Sequence, residues 1–417
     1  MNGSAHNGGA QDAVVIVGGG LAGAKTAEAL RDQGHTGPVT LISAEKHLPY
    51  ERPPLSKEYL AGSQGLDDFT VHQRSWYTDN SVDLRTEVNA TAVDTARRSV
   101  TLSDGAAVGY SSLVLATGSR SARPPIDGAD AEGVLYLRTF DEARALSDAI
   151  GSGTRLAVIG GGWIGLEVAA GARGRGAEVT VVEAAGQPLT AALGPELGAV
   201  FAGLHREHGV DLRTETTVEA ITTENGRATG LRLAGGRQIE ADLVLVAVGA
   251  RANIALAAEA GIATDDGGVL TDAELRTSVP GVYAVGDIAA AQHPLFGTRI
   301  RTEHWANALN QPAVAAANIL GGSVQYSRLP YFFTDQYDLG MEYSGYAAGY
   351  DKVVLRGDVE GREFIAFWLN ASGLVLAGMN VNIWDSTDDI QALISDRITV
   401  DPKRLADTSV PLGDLTD

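Results

Sequence analysis

Cysteine is absent from all 417 residues, and with it go disulfides, thiolate metal sites and every mechanism that needs a redox dithiol or a sulfenic acid. No apolar run approaches the roughly 18 residues a membrane helix needs. The opening residues, MNGSAHNGGAQ, lack the basic start and apolar core of a signal peptide, so 1–11 are expected to be a disordered leader and the protein cytoplasmic. Positive charge is scarce: 32 Lys and Arg stand against 52 Asp and Glu, a formal charge of −20. That balance argues against a general nucleic-acid or anionic-membrane surface and leaves room only for local basic patches. What the chain does have is length and apolar content, 44% hydrophobic residues, enough for two or three domains.

The stretch that organises the rest runs from Ala13 to Glu45. The apolar run Ala13 to Val17 reads as a buried parallel strand, and it leads directly into Gly18-x-Gly20-x-x-Gly23 and a helical pattern over Ala24 to Arg31. Gly18 permits a tight turn, Gly20 lets the backbone approach a pyrophosphate, and Gly23 lets helix and strand pack closely. The helix N-terminus offers unpaired N–H groups to phosphate. A second strand, Val39 to Ile42, delivers Glu45 about where such a unit places the acid that accepts from an adenosine ribose.

The pattern repeats at Arg155 to Ala185. Gly160, Gly162 and Gly165 take the three glycine roles, Trp163 lies inside the turn, and Glu183 ends the next strand. Glu183 accepts from a ribose 2′-OH and repels a 2′-phosphate, with only Ala184 and Ala185 after it, so NADH is favoured over NADPH; Arg173 and Arg175 are the cations that would soften the preference.

Between and beyond these units, HLPYERPPLSKEYL carries three prolines that impose an irregular loop with Arg52 and Lys57, before a helical turn capped around Ser56. Val82 to Val108 reads as a small antiparallel meander. Ser112 to Arg120 is a buried strand running into a Thr117-Gly118 turn, and Thr277 to Asp287 is an apolar strand ending in Gly286-Asp287. Asn307 to Leu320 has helical composition, with Pro312 in its first turns or kinking it. From Tyr326 aromatic and β-branched strands take over, consistent with a separate α+β domain.

Two nucleotide units with the second inserted in the first, plus GVYAVGD at Gly281 to Asp287, resemble the two-dinucleotide-binding-domain flavoproteins. The loops YERPPLSK (Tyr50 to Lys57), GGGWIGLE (Gly160 to Glu167), EHWANALNQ (Glu303 to Gln311) and YFFTDQYD (Tyr331 to Asp338) resemble one branch. It comprises the NADH-dependent, FAD-containing ferredoxin reductases of the putidaredoxin reductase type, which serve cytochrome P450s and aromatic-ring dioxygenases. The resemblance covers nearly the whole chain beyond the leader. It implies an α/β fold with two Rossmann-like domains of the glutathione-reductase kind and a C-terminal α+β domain. The expected division is FAD over 12–118 and 247–325, NADH over 119–246, and the last domain over 326–417. It also implies that Asp287 bonds the ribityl or phosphate region of FAD, that Lys57 and Glu167 meet near the flavin ring, and that Glu303, His304 and Trp305 approach its pyrimidine edge.

NADH gives up a hydride, two electrons at once, while an iron–sulfur ferredoxin takes one, and flavin reconciles the two. Lys57 is the candidate for stabilising negative charge on the reduced ring, Glu167 for pairing Lys57 and orienting the nicotinamide, and Trp305 for stacking near the flavin. On residues alone, Glu167 reads equally as a solvated helix-face acid, Trp163 as packing, and His304 as a structural histidine. Arg52 contacts an FAD phosphate or anchors its loop, and Thr117 and Gly118 join the FAD residues. Arg299 and Arg301 are candidates for steering an acidic ferredoxin. No metal site is expected, and a monomer is. Two other readings stay open: an NADH oxidoreductase with a small acceptor such as a quinone, and a redox-sensing flavoprotein of the apoptosis-inducing-factor type. Thiol-dependent disulfide reductases are excluded.

Overall fold

The computed structural model describes residues 12–265 and 267–415; the expected leader lies outside the described residues. Packing sorts the chain into two units. One holds the described residues through Glu51, Asp67–Arg120 and Arg251–Pro330, and the other holds Arg52–Leu66, Ser121–Ala250 and the chain from Tyr331 onward. Among the described residues no helix is long and apolar enough to cross a membrane.

The first unit is built on a five-stranded sheet in the order Val282–Ala284, Ser112–Leu115, Val14–Val17, Val39–Ile42, Val82–Arg85, parallel throughout. Its central strand is β-branched and wholly buried, as a strand covered on both faces must be. Helix Leu21–Asp32 packs against helix Trp305–Ile319 on one side; Ala24 and Ala27 on the first and Ala315 and Ala316 on the second are fully buried, small enough for close approach. Val82–Arg85 departs from the sequence expectation. It is the parallel edge strand beside Val39–Ile42, and the antiparallel meander is confined to Ala90–Asp94, Ser99–Leu102 and Ala107–Gly109. The edge position explains the ambiguity: only Val82 of the four residues is buried, so local pattern does not distinguish the two pairings.

The second unit repeats the parallel sheet, ordered Asp211–Arg213, Glu178–Val182, Arg155–Ile159, Leu243–Val246, Val134–Leu135. A three-stranded antiparallel sheet over Val218–Glu224, Arg227–Leu233 and Gln238–Glu240 accompanies it. Helix Phe140–Ala149 opens with a full capping box, Thr139 and Glu142 each bonding the other's backbone N–H. From Tyr331 a five-stranded antiparallel sheet runs in the order Tyr331–Gln336, Leu339–Gly345, Val375–Val381, Glu363–Leu369, Lys352–Asp358, with helix Thr387–Ser395 packed on it. Phe364, Phe367 and Trp368 form its core, and the Trp368 indole donates to the Leu193 carbonyl at 3.2 Å. The architecture is α/β with two Rossmann-like domains and a C-terminal α+β domain.

Candidate functional site

In the first unit Gly18 has φ +122°, and a Cβ there would stand 2.0 Å from the Ala116 carbonyl oxygen. A Cβ on Gly23 would stand 1.9 Å from the Gly18 carbonyl oxygen. Both glycines are demanded by the protein's own packing. Gly20 is different: its φ is −90°, and a Cβ would meet nothing within 4 Å. Helix Leu21–Asp32, which Gly20 precedes, has no side-chain N-cap, so its first N–H groups face an open approach of the kind a pyrophosphate fills. The second unit repeats this division. A Cβ on Gly160 (φ +104°) or Gly165 would stand 2.5 or 2.2 Å from the backbone oxygen of Ala247 or Gly160, whereas Gly162 (φ −80°) is open and precedes an uncapped helix, Trp163–Gly174. Both loops fit a dinucleotide.

The two acids differ. Glu183 directly follows Val182, the strand partner of Ile159, and its carboxylate accepts from the backbone N–H of Gly161 and of Ala185, each at 2.7 Å. In the first unit that place belongs to Ser43, which follows Ile42, and whose side chain lies 2.3 Å from where a Gly19 Cβ would be. Glu45 sits two residues further on, half-buried, accepting from the Tyr50 hydroxyl at 2.5 Å. Arg173 is committed to the His208 and Ala177 carbonyls, and Arg175 to the Leu60 carbonyl and the Ser147 hydroxyl.

Further along the first unit, Thr117 donates its hydroxyl to the Asn253 carbonyl at 2.8 Å and accepts from the Asn253 amide through its own carbonyl at 2.9 Å, just before Gly118 at φ +62°. Asp287 is buried in the turn Gly286–Ile288, which Gln311 secures by accepting from the Gly286 N–H at 2.7 Å. Arg301 donates to the Asp287 carbonyl (3.1 Å) and to Glu303 (2.8 Å), while Arg299 is exposed on its short strand. Helix Trp305–Ile319 starts at Trp305 rather than near Asn307, with His304 immediately before it and Pro312 in its middle. The Trp305 indole donates to Glu51 at 2.7 Å. Burial pushes the His304 imidazole down to about 4, against the opposing pull of Asp287, so it is neutral near pH 7.

In the second unit the proline-stiffened turn Pro53–Ser56 and the short helix Glu58–Ala61 present Lys57. Lys57 Nζ lies 2.8 Å from Glu167 Oε1, and 5.5 Å from the centroid of the Phe333 ring. Glu167 is 5% exposed and is no solvated helix-face acid: it also accepts from the Ser56 hydroxyl at 2.5 Å and the Thr334 hydroxyl at 2.6 Å. Gly171, one turn further along Glu167's helix, makes room for Leu60, since a Cβ there would stand 2.9 Å from the leucine methyl. That close approach holds the Lys57 segment against the helix. Arg52 donates to the Arg138 carbonyl and so anchors its loop. Trp163 packs edge-on against Phe201 and Phe332, at 5.7 and 5.0 Å between centroids. Ser56 is no helix cap, and its role, like those of Thr334, Gln311 and Asn253, escapes sequence reasoning: each lies in or beside a motif of note, but its partner is remote in the chain.

The pyridine nucleotide-disulphide oxidoreductase family matches residues 12–312, and a reductase C-terminal family matches 331–416. The ferredoxin–NAD(+) reductase component of the anthranilate 1,2-dioxygenase system of Burkholderia cepacia is 39% identical over 405 residues, 96% of this chain and 98% of that protein. Putidaredoxin reductase of Pseudomonas putida is 37% identical over 411 residues, 97% of each. The crystal structure of a covalent putidaredoxin reductase–putidaredoxin complex superposes with a TM-score of 0.94 at 36% identity, covering 97% of this chain and 98% of that one. The chain belongs to the pyridine nucleotide-disulphide oxidoreductase family, in its branch of FAD-containing, NADH-dependent ferredoxin reductases.

Proposed function

We propose that this protein takes electrons from NADH and passes them through FAD to a small iron–sulfur ferredoxin that serves a cytochrome P450 or a ring-hydroxylating oxygenase. The observation that carries the reading is the pairing of two complete dinucleotide loops with a chain that has no thiol: electrons accepted from a nicotinamide have no internal dithiol to reach and must leave for an external acceptor. Bound FAD supplies the change from a two-electron to a one-electron donor.

The chain's own residues bind, orient and set charge. Gly18, Gly20 and Gly23 with the N-terminus of Leu21–Asp32 hold the FAD pyrophosphate, and Glu45 serves its adenosine end. Thr117, Gly118, Asp287, Glu303, His304 and Trp305 serve its flavin side, with His304 acting as a neutral hydrogen-bonding group rather than a cationic acid. Gly160, Gly162 and Gly165 with Glu183 hold NADH, and the engagement of Arg173 and Arg175 elsewhere supports a strong preference for it over NADPH. Lys57, oriented by Glu167, is the cation for negative charge that develops in hydride transfer, with Trp163 lining the nicotinamide side. Arg52 acts through its loop. Of the two steering candidates Arg299 is the available one, because Arg301 is engaged by Glu303 and Asp287. The domain limits of this reading are 12–118 with 247–325 for FAD, 119–246 for NADH and 326–417 for the last domain, in a cytoplasmic monomer.

The test is cytochrome c reduction by the purified yellow protein with NADH, with and without an added [2Fe–2S] ferredoxin. Strong dependence on the ferredoxin and a large preference for NADH over NADPH are expected. Rapid NADH oxidation by a quinone with no response to ferredoxin overturns the reading.

A further inference from the structure

Glu167 stands at the end of a buried line of side chains whose donors and acceptors are all committed in one direction. A carboxylate facing a lysine ammonium has only lone pairs to offer, so Thr334 Oγ1, 2.6 Å away, donates to it. The threonine oxygen therefore accepts from the next group, Gln336 Nε2 at 3.3 Å. That turns the glutamine oxygen to His205 Nε2, 2.8 Å away, which carries the ring proton. The other ring nitrogen, His205 Nδ1, is buried without a hydrogen-bond partner. A neutral Nε2–H tautomer pairs every group from Glu167 to His205 Nε2 and leaves Nδ1 alone unpaired, in keeping with burial that pushes His205 down to about 4.

Nothing in the packing alone asks for this line. Thr334 and Gln336 are alternate residues on the inward face of strand Tyr331–Gln336, and both are 1% exposed, while Asp335 between them is exposed. Valine and leucine would fill those places in an apolar sheet, and a buried polar chain costs free energy unless its members are paired, as all are here except His205 Nδ1. The line joins three separated parts of the sequence and ends, through Thr334, on one oxygen, Glu167 Oε1, the same atom that Lys57 touches. Ser56 holds the other oxygen. Both carboxylate oxygens are thus engaged, and the ammonium faces the one that Thr334 holds.

Resting on the functional reading above, we propose that His205, Gln336 and Thr334 are positioning residues for hydride transfer: they fix Glu167 and, through it, the Lys57 ammonium. Bonds aligned head to tail polarise one another, so the carboxylate is held by the whole line and not by Thr334 alone. Charge placed before the reaction needs no rearrangement during it.

The test is single-turnover reduction of the FAD-loaded enzyme by NADH in stopped flow, together with ¹⁵N-histidine NMR of the same protein, His205 being assigned by its loss in His205→Asn. Thr334→Val is expected to lower the limiting rate about tenfold with little change in the NADH concentration for half-maximal rate, and Thr334→Ser to restore it. Gln336→Leu is expected to give a smaller loss of the same kind, about threefold, and to change the His205 nitrogen shifts, which in the wild type report the Nε2–H tautomer. Rates of Thr334→Val and Gln336→Leu within about twofold of wild type, or a His205 carrying its proton on Nδ1, overturn the proposal. A wild-type protein that NADH does not reduce defeats the functional reading instead, and the NMR measurement still decides the direction of the line.

Discussion

Trp305 and Glu51 are joined by a single charge-assisted hydrogen bond, indole N–H to carboxylate at 2.7 Å, which ties the first residue of a 15-residue helix to the loop that carries Glu51. The plane of the indole is set by this bond as well as by packing. Trp305→Phe keeps a ring and loses the donor, and its expected cost is about 1.5–3 kcal/mol, the worth of a bond to a charged group. A thermal melt of the FAD-loaded protein should drop by several degrees with faster flavin loss, while Glu51→Gln, whose amide oxygen still accepts, should fall between the two.

Removing one member of a buried ion pair is worse than removing both. Lys57→Ala leaves Glu167 sealed with hydroxyl donors alone, and roughly 3–5 kcal/mol of stability should be lost in urea unfolding. Lys57→Met combined with Glu167→Leu should recover much of that stability but not the rate of flavin reduction by NADH. Stability and rate that recover together would assign the pair to structure.

The glycines of each loop should separate into two kinds. Gly23→Ala and Gly165→Ala drive a Cβ into a carbonyl oxygen and should unfold or grossly destabilise the domain that carries them. Gly20→Ala and Gly162→Ala have ordinary φ and open space, so the apoprotein should melt within about a degree of wild type while dinucleotide binding collapses. Flavin content on purification reads the first loop, and NADH titration reads the second.

Glu183, proposed to serve the NADH ribose, also holds the N–H groups of Gly161 and Ala185. Glu183→Ala should raise the KM for NADH about tenfold and shrink the NADH to NADPH preference, because a repulsive charge leaves along with a hydrogen-bond acceptor. An unchanged preference would mean that Glu183 only shapes the loop.

Acid should destabilise the protein through its buried histidines. His205 and His304 are pushed by burial to about 4 from an ordinary 6.5. The unfolded chain takes up a proton near 6.5 and the native one does not until about 4, so their contribution to stability is whole above pH 6.5 and is lost as pH falls toward 4. The slope approaches about 1.4 kcal/mol per pH unit for each histidine. Melting temperatures from pH 7.5 to about 4.5 should fall accordingly, and His205→Asn should flatten the curve only in part, because burial also lowers His304, His35 and His293.

Both glycine loops were legible in the sequence because the turn, the approach of Gly23 and Gly165 to Gly18 and Gly160, and the uncapped helix all lie within ten residues, whereas the crowding of Gly18 by Ala116 and of Gly160 by Ala247 does not. The parallel edge strand at Val82–Arg85 was not, since an edge strand with one buried residue reads the same in either pairing. Glu45 followed from counting along the chain, but counting could not see that Ser43 occupies the place Glu183 has in the other loop. The partners of Glu167 were the hardest to read. Ser56 and Thr334 lie 111 and 167 residues from it, and nothing local in either hydroxyl announces a carboxylate at such a distance.

That spacing sets a timetable for the making of the protein. Lys57 and Ser56 leave the ribosome before Glu167, but Thr334 follows it by 167 residues, roughly 8 to 30 seconds at ordinary rates of synthesis. In that interval the helix Trp163–Gly174 lacks the strand that covers Trp163 and bonds Glu167. The second unit is therefore a late product of translation, completed only when about the last fifth of the chain, from Tyr331 onward, arrives.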